Sequence, residues 1–181
     1  MRPVICAVFA LIASACTAFA TAKVTIILQF DAAHSEGSVS EMKSELQNLM
    51  RDSGVELNWR RLDELSASDS FPSVVVVTFH GSCEMKPFAP PLPNEPVPLA
   101  YAHISNGAVI PFADVECDRV RSLLAPAHAE SGTGGDLLLG RALGRVLAHE
   151  LHHIISRTRA HTQHGISRKE LSSRDLIADR T

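Results

Sequence analysis

The chain has 181 residues, 45% of them hydrophobic, which is typical of one globular domain. Its formal net charge is −3 and no basic run stands out, so nucleic acid is not expected as the main partner. Function therefore has to be sought in local motifs.

The N-terminal segment has the features of an export signal. Arg2 precedes an apolar stretch at positions 4–19, which is shorter and richer in alanine than a typical transmembrane span. Small residues allow cleavage after Ala20 or Ala22. We expect a signal peptide at 1–22 and a single domain at 23–181, secreted or periplasmic and free of the membrane after cleavage. A lipoprotein modified at Cys16 and an uncleaved anchor are the alternatives.

Removal of the signal would leave two cysteines, Cys83 and Cys117. Exported proteins often pair their cysteines. A bridge would close a loop of about 35 residues and stabilise the fold by on the order of 3–4 kcal/mol. The alternative is a pair of buried free thiols.

Alternating strand and helix patterns follow the signal. Residues 23–30 are rich in β-branched side chains and predict a strand. Ser38 and Glu41 form a capping box that would open a helix ended by Gly54. Residues 55–59 alternate like a half-exposed strand. The helix carries an apolar stripe that we expect in the core, formed by Val39, Met42, Leu46, Leu49 and Met50.

Four consecutive valines at 74–77 predict a fully buried central strand. The order strand, helix, strand, strand favours a mixed or parallel sheet with a right-handed crossover. His80 ends the third strand beside Gly81, and we expect a structural role for it rather than a catalytic one.

A proline-rich stretch precedes a hairpin. Six prolines at 87–98 predict an extended surface loop. Asn106-Gly107 lies between the apolar-leaning runs 101–105 and 108–112, which is a strong hairpin signal. Pro111 would place the second arm at a sheet edge or a strand end.

The last third of the chain predicts helices. Residues 118–128 form one, which Pro126 would end or kink. After a glycine-rich loop at 131–135, Asp136 is the expected N-cap of a long, largely buried helix. Ser167 and Glu170 form a further capping box for a short final helix.

The long helix carries the pattern His149-Glu150-x-x-His153 near its end. Residues four apart lie on one helix face, so both imidazoles can reach one metal ion. Zinc accepts neutral imidazole and keeps an open position for water in catalytic sites. Zinc lowers the pKa of that water to about 7, and Glu150 is placed to act as its general base.

A third ligand is expected after the helix. His161 is our preferred candidate because it can fold back after one turn of non-helical chain. His164 is the second, although the adjacent Gly165 suggests a local turn there. A carboxylate from a later helix is the third possibility, from Glu170, Asp175 or Asp179.

These residues resemble the zincin metallopeptidases, whose active-site helix carries the same motif. The resemblance covers roughly residues 101–165 and is greatest to small secreted bacterial proteins with H-E-L-x-H and a late histidine. The longer metzincin pattern H-E-x-x-H-x-x-G-x-x-H is not met. Ser156 stands at its glycine, Arg159 at its third histidine, and no methionine follows Met85.

The resemblance implies an α+β, zincin-like fold. A mixed, twisted sheet with an antiparallel edge hairpin would pack on a backing helix and on the long active-site helix. A peptide or protein substrate would bind along an edge arm, by resemblance 101–105, as an added strand. Tyr101 or His103 would then face the cleft and hold an oxyanion, or else only pack within the sheet.

The expected activity is that of a secreted zinc metalloendopeptidase. Zn²⁺ would be held by His149, His153 and His161, and Glu150 would pass the proton of the attacking water to the leaving amine. One alternative is an inactive zincin-like module that binds metal or a partner without turnover. Another is a small exported domain in which the motif binds no metal.

Overall fold

A computed structural model of the protein describes residues 22–86, 98–131 and 134–179. The strands are β1 (Ala22–Phe30), β2 (Val55–Arg61), β3 (Val74–His80), β4 (Ala100–Ser105) and β5 (Ala108–Glu116). The helices are α1 (Glu36–Met50), α2 (Cys117–Ser131), α3 (Gly135–Ile155) and α4 (Ser173–Ile177).

The strands form one mixed sheet in the order β2-β1-β3-β5-β4. All neighbours are parallel except β4 and β5, which pair as an antiparallel hairpin with β4 at the edge. Asn106 and Gly107 form its turn at φ 49° and 79°, as Asn-Gly predicts. The predicted α+β fold with an edge hairpin on helices is therefore confirmed.

Two predictions about the sheet were wrong. Strand β3 is central, but only alternate residues are buried, because the helices pack against one face: Val75, Val77 and Phe79 are buried, whereas Val74 and Val76 are partly exposed. Pro111 does not place its arm at an edge. It lies within β5, in the stretch where pairing with β4 is irregular and before pairing with β3 begins, so no ladder bond is lost there.

Helices α1 and α3 pack very closely, and glycine makes this possible. A Cβ on Gly140 would lie 2.5 Å from the Ser38 carbonyl oxygen, and one on Gly144 would lie 2.8 Å from Cβ of Glu45. Beside them, Nε of Arg145 donates to Oε1 of Glu45 at 2.8 Å in a buried ion pair. The motif helix is thus held firmly against its neighbour.

The helix boundaries correct several expectations. Ser35, not Ser38, caps α1, and its hydroxyl accepts from the amides of residues 37 and 38. Gly134, not Asp136, precedes α3, while the Asp136 carboxylate accepts from the hydroxyls of Ser35 and Ser38. The final capping box uses Ser172 and Asp175 instead of Ser167 and Glu170, and α2 continues past Pro126 to Ser131.

Cys83 and Cys117 lie at disulfide distance, with their Cα atoms 5.1 Å apart. The pair joins the segment after β3 to the first residue of α2, and both residues are fully buried. This arrangement matches the predicted bridge and not the alternative of free thiols.

Two predicted segments lie outside the described residues. These are the signal peptide at 1–22, except for Ala22, and the proline-rich stretch at 87–98, except for Pro98. Strand β1 begins at Ala22, one residue before its predicted start. Among the described residues, no helix has the length and hydropathy needed to cross a membrane.

Candidate metal centre

Helix α3 presents His149 and His153 on the same face, one turn apart. Their Nε2 atoms are 3.1 Å apart. Two nitrogens bound tetrahedrally to one zinc, each at about 2.0–2.1 Å, would be about 3.3 Å apart. The separation therefore suits a shared cation with little movement of the rings.

Backbone carbonyls orient both rings. Nδ1 of His149 donates to the carbonyl of Ile166, and Nδ1 of His153 donates to the carbonyl of Thr158, each at 2.9 Å. In a neutral imidazole, a proton on Nδ1 leaves a lone pair on Nε2. Two lone pairs then face each other at 3.1 Å, an arrangement that a cation between them would stabilise.

The chain reverses sharply after α3 and brings His161 back to this pair. Arg157 adopts the left-handed conformation at φ 49°, and the amide of Thr158 donates to the carbonyl of His153 at 3.0 Å, as in a glycine-type helix C-cap. The ring of His161 lies 5.2 Å from that of His149 and 4.8 Å from that of His153, between centroids. In the metzincin pattern, Ser156 stands at the glycine and Arg159 at the third histidine. Here the left-handed residue comes one position after Ser156, and His161 comes two positions after Arg159.

We call His149, His153 and His161 the three-histidine group. One nitrogen from each lies within 4.8 Å of the others, and no other set of histidine, cysteine or acidic side chains in the described ranges meets this criterion. Burial is the main cause that lowers the pKa of His149 and of His161, and the neighbouring imidazoles lower both further. Neutral imidazole is the form that binds metal.

The other candidates for the third ligand lie elsewhere. His164 belongs to a local turn, in which its carbonyl accepts from the Thr162 hydroxyl at 2.7 Å. The Asp175 carboxylate bonds to Ser172 and Arg168, and Asp179 pairs with Arg141. Glu170 lines a neighbouring cavity but is not part of the three-histidine group.

Glu150 is buried next to the group and is 6% exposed. Burial raises its pKa to about 7, although a hydrogen bond from the backbone amide of Ala102 acts in the opposite direction. A carboxyl with a pKa near neutrality can both accept and return a proton. Strand β4 thus supplies a donor that orients the acid on α3.

Two cavities meet beside Glu150. One, of about 330 Å³, lies over the three-histidine group and extends along β4 as far as Ile104. Thr158 and Arg159 also line it. The other, of about 230 Å³, is lined by Leu99, Val146 and Leu171. Both share five residues: Pro98, Ala100, His149, Glu150 and Lys169.

Tyr101 lines the first cavity but His103 lines neither, and the side chains of both bond to Asp114. Nε2 of His103 bonds to Oδ2 of Asp114 at 2.5 Å, and the Tyr101 hydroxyl bonds to the same carboxylate. His80 bonds to Asp114 as well, at 3.1 Å, and to Asp31 at 2.9 Å. We call His80 and His103, joined through Asp114, the aspartate-linked histidine pair. The alternative expected for Tyr101 and His103, that they only pack within the sheet, thus fits better than a role in holding an oxyanion.

Several residues around the site had no recognisable signal in the sequence. The carbonyls of Thr158 and Ile166 and the amide of Ala102 act through the backbone, which residue type does not reveal. Asp114 and Lys169 occur in no motif. The position of Asp114 among apolar strand residues was the only hint in the sequence, and the structure shows the residue to be 9% exposed.

No protein-family model, no curated protein and no solved structure matches this chain.

Proposed function

We propose that the protein is a zinc-dependent peptidase of the zincin type, exported from the cell. The observation that carries the proposal is the convergence of three imidazoles on one point, with a buried glutamate directly beside them. A purely structural site would have no use for Glu150, whose burial as a carboxyl is costly. The paired cysteines fit an oxidising compartment outside the cytoplasm.

The residues fit zinc through the Nε2 separation of 3.1 Å between His149 and His153 and the carbonyl acceptors behind both rings. His149, His153 and His161 would hold the ion. When bound, zinc supplies a Lewis acid and makes water acidic enough to act as a nucleophile at neutral pH.

Glu150 performs the proton transfers in this mechanism. Its carboxylate takes a proton from the attacking water, and the resulting acid gives that proton to the departing amine. The amide of Ala102 fixes one carboxylate oxygen during both steps. Because Glu150 of α3 is buried beside β4, it exchanges protons within the cleft instead of with bulk water.

The free edge of β4 would bind the substrate. Strand β4 pairs on one side with β5, and its residues 100–102 and 104 line the cavity over the three-histidine group. An extended peptide can add to such an edge through main-chain hydrogen bonds. Its scissile carbonyl would then lie over the histidines and beside Glu150.

The test uses protein recovered after expression of the full chain, with measured zinc content and a mixture of unfolded proteins as substrate. We expect about one zinc per chain and new peptide termini detected by mass spectrometry. Glu150→Gln should keep the zinc and lose about 10²- to 10⁴-fold in rate, because only the base is removed.

Glu64→Gln, an exposed glutamate in the segment after β2, is the matched control and should keep full activity. Zinc bound without any hydrolysis by the wild type would favour the inactive metal-binding module instead. Full activity in Glu150→Gln would contradict the mechanism.

A further inference from the structure

Asp114 is the buried centre of a polar network that the proposed mechanism does not use. The residue is 9% exposed, and its carboxylate receives hydrogen bonds from three side chains: His80, His103 and Tyr101. Together these bonds outweigh the effect of burial and hold the pKa of Asp114 below its usual value. Such a carboxylate is a strong, ionised acceptor.

Two of the three donors belong to the edge strand. Tyr101 and His103 alternate along β4, so their side chains lie on the sheet face opposite to Ala102, which packs toward the core. The amide of Ala102, between them, donates to Glu150. The same three residues of β4 therefore contact Asp114 through side chains and Glu150 through the backbone.

The backbone pairing of β4 with β5 is interrupted at His103. Tyr101 and Ala102 pair in register with Asp114 and Ala113, whereas Ile104 pairs with Val109, so the register shifts at His103. At such an irregularity the hydrogen-bond ladder is interrupted. The bond from His103 to Asp114 therefore ties β4 to β5 at the register shift, next to Ala102, and Tyr101 contacts the same carboxylate.

We propose that Asp114 is a positioning residue of the candidate active site. It acts through Tyr101 and His103 to fix the segment of β4 whose amide orients Glu150. The part that concerns β4 stands on the contacts alone, whereas the effect on turnover rests on the proposed peptidase function.

Asp114→Asn tests the proposal because an amide offers only one oxygen and places an N–H₂ group near an imidazole nitrogen. Hydrogen exchange resolved by NMR should show the Ala102 amide exchanging at least about tenfold faster in the variant, as loss of charge-assisted bonds predicts. Asp63→Asn is the matched control, since Asp63 is an exposed carboxylate paired with Arg61 next to the opposite edge strand β2. It should leave the exchange of Ala102 unchanged.

Kinetics separate positioning from general destabilisation. Measured well below the melting temperature and normalised to bound zinc, kcat of Asp114→Asn should fall about tenfold while zinc content stays at the wild-type value. A merely structural role would lower the melting temperature and leave kcat per folded molecule unchanged, and that result would overturn the proposal. Unchanged exchange at Ala102 would overturn it as well.

If Asp114→Asn does not fold, His103→Ala provides the same test, because the His103 ring is partly exposed and only one of the three bonds is removed. A severalfold faster exchange at Ala102 is then expected, and wild-type exchange would refute the proposal. If the wild type hydrolyses nothing, the peptidase function fails, but the exchange measurement still decides whether Asp114 holds β4.

Discussion

The two histidine groups lie on opposite sides of the sheet and have opposite chemistry. In the three-histidine group, His149 and His153 donate to backbone carbonyls, and none of its three imidazoles is paired with a carboxylate among the described residues. In the aspartate-linked histidine pair, each Nε2 faces Asp114. In the first group the Nδ1 bonds leave each Nε2 lone pair free for a cation, whereas in the second the Nε2 itself bonds to the carboxylate, and Nδ1 of His80 bonds to Asp31 as well.

The pKa shifts follow the same division. Burial and neighbouring imidazoles lower the pKa of His149 and His161 and keep both neutral. The hydrogen bond to Asp31 and, after the opposing effect of burial, that to Asp114 raise the pKa of His80. Neighbours therefore determine whether a histidine in this protein is suited to bind a metal ion or to be a cation itself.

The largest expected effect comes from removing one imidazole from the three-histidine group. His161→Ala should weaken zinc binding by more than about 100-fold, which exceeds the 10- to 100-fold typical for losing an outer hydrogen-bond partner. Equilibrium dialysis against a zinc buffer measures the affinity. Chelation should correspondingly lower the melting temperature of the wild type but not of the variant.

His164→Ala is the control for that experiment, since it removes an imidazole three residues away that lies in a separate turn. Its zinc affinity should equal that of the wild type. If His164→Ala lost zinc while His161→Ala retained it, the third ligand would have to be reassigned and the comparison of the two groups would fail.

Local spacing explains why the convergence of the three histidines could be predicted. His149 and His153 are one helical turn apart, and His161 follows eight residues later, so a helix and one reversal bring them together. The aspartate-linked histidine pair was not predictable in this way. His80 and Asp114 are 34 residues apart and meet only because β3 and β5 are neighbours in the sheet.

The helix starts were mispredicted for a related reason. Ser38, Ser167 and Ser172 each have an acidic residue three positions later, the spacing of a capping box, whereas Ser35 has none. Ser35 was missed as the cap because its competitor Ser38 bonds instead to Asp136, which is about a hundred residues distant in the chain. The buried-strand prediction for 74–77 failed because valine content does not reveal how many sheet faces are covered.

A second, smaller effect should come from His80→Gln and should depend on pH. Because the pKa of His80 is raised, its pairing stabilises the fold fully below the unfolded value of about 6.5 and is lost as pH rises through the folded value. Asp114, whose pKa is lowered, contributes fully above its unfolded value of about 3.9 and loses that contribution as pH falls through its folded pKa. Between these limits the free energy of unfolding of the variant should be lower than that of the wild type. The difference should be only about 1 kcal/mol, because His80 is partly exposed and solvent screens its ion pairs.

Urea unfolding from about pH 4 to pH 9 measures that difference. The gap between wild type and His80→Gln should narrow as the pH rises above the folded pKa of His80. His164→Gln, which removes an exposed imidazole outside both groups, should show no such narrowing. If the difference in stability widened toward pH 9, His80 would be hydrogen-bonded in its neutral form, and the contrast between the two histidine groups would be lost.

The smallest expected effect concerns Lys169, which lines both cavities and lies close enough to His161 for its charge to lower the pKa of that imidazole. The same charge must repel a metal dication. Lys169→Gln should therefore tighten zinc binding about two- to fivefold at low salt, the size expected for an exposed charge, and the gain should shrink near 1 M salt. Lys23→Gln removes an exposed charge from β1, where Lys23 pairs with Glu56, and should change nothing. Equal or weaker zinc affinity in Lys169→Gln would mean that its ammonium group does not act on the ion, and the electrostatic environment of the three-histidine group would then come from the imidazoles and their burial alone.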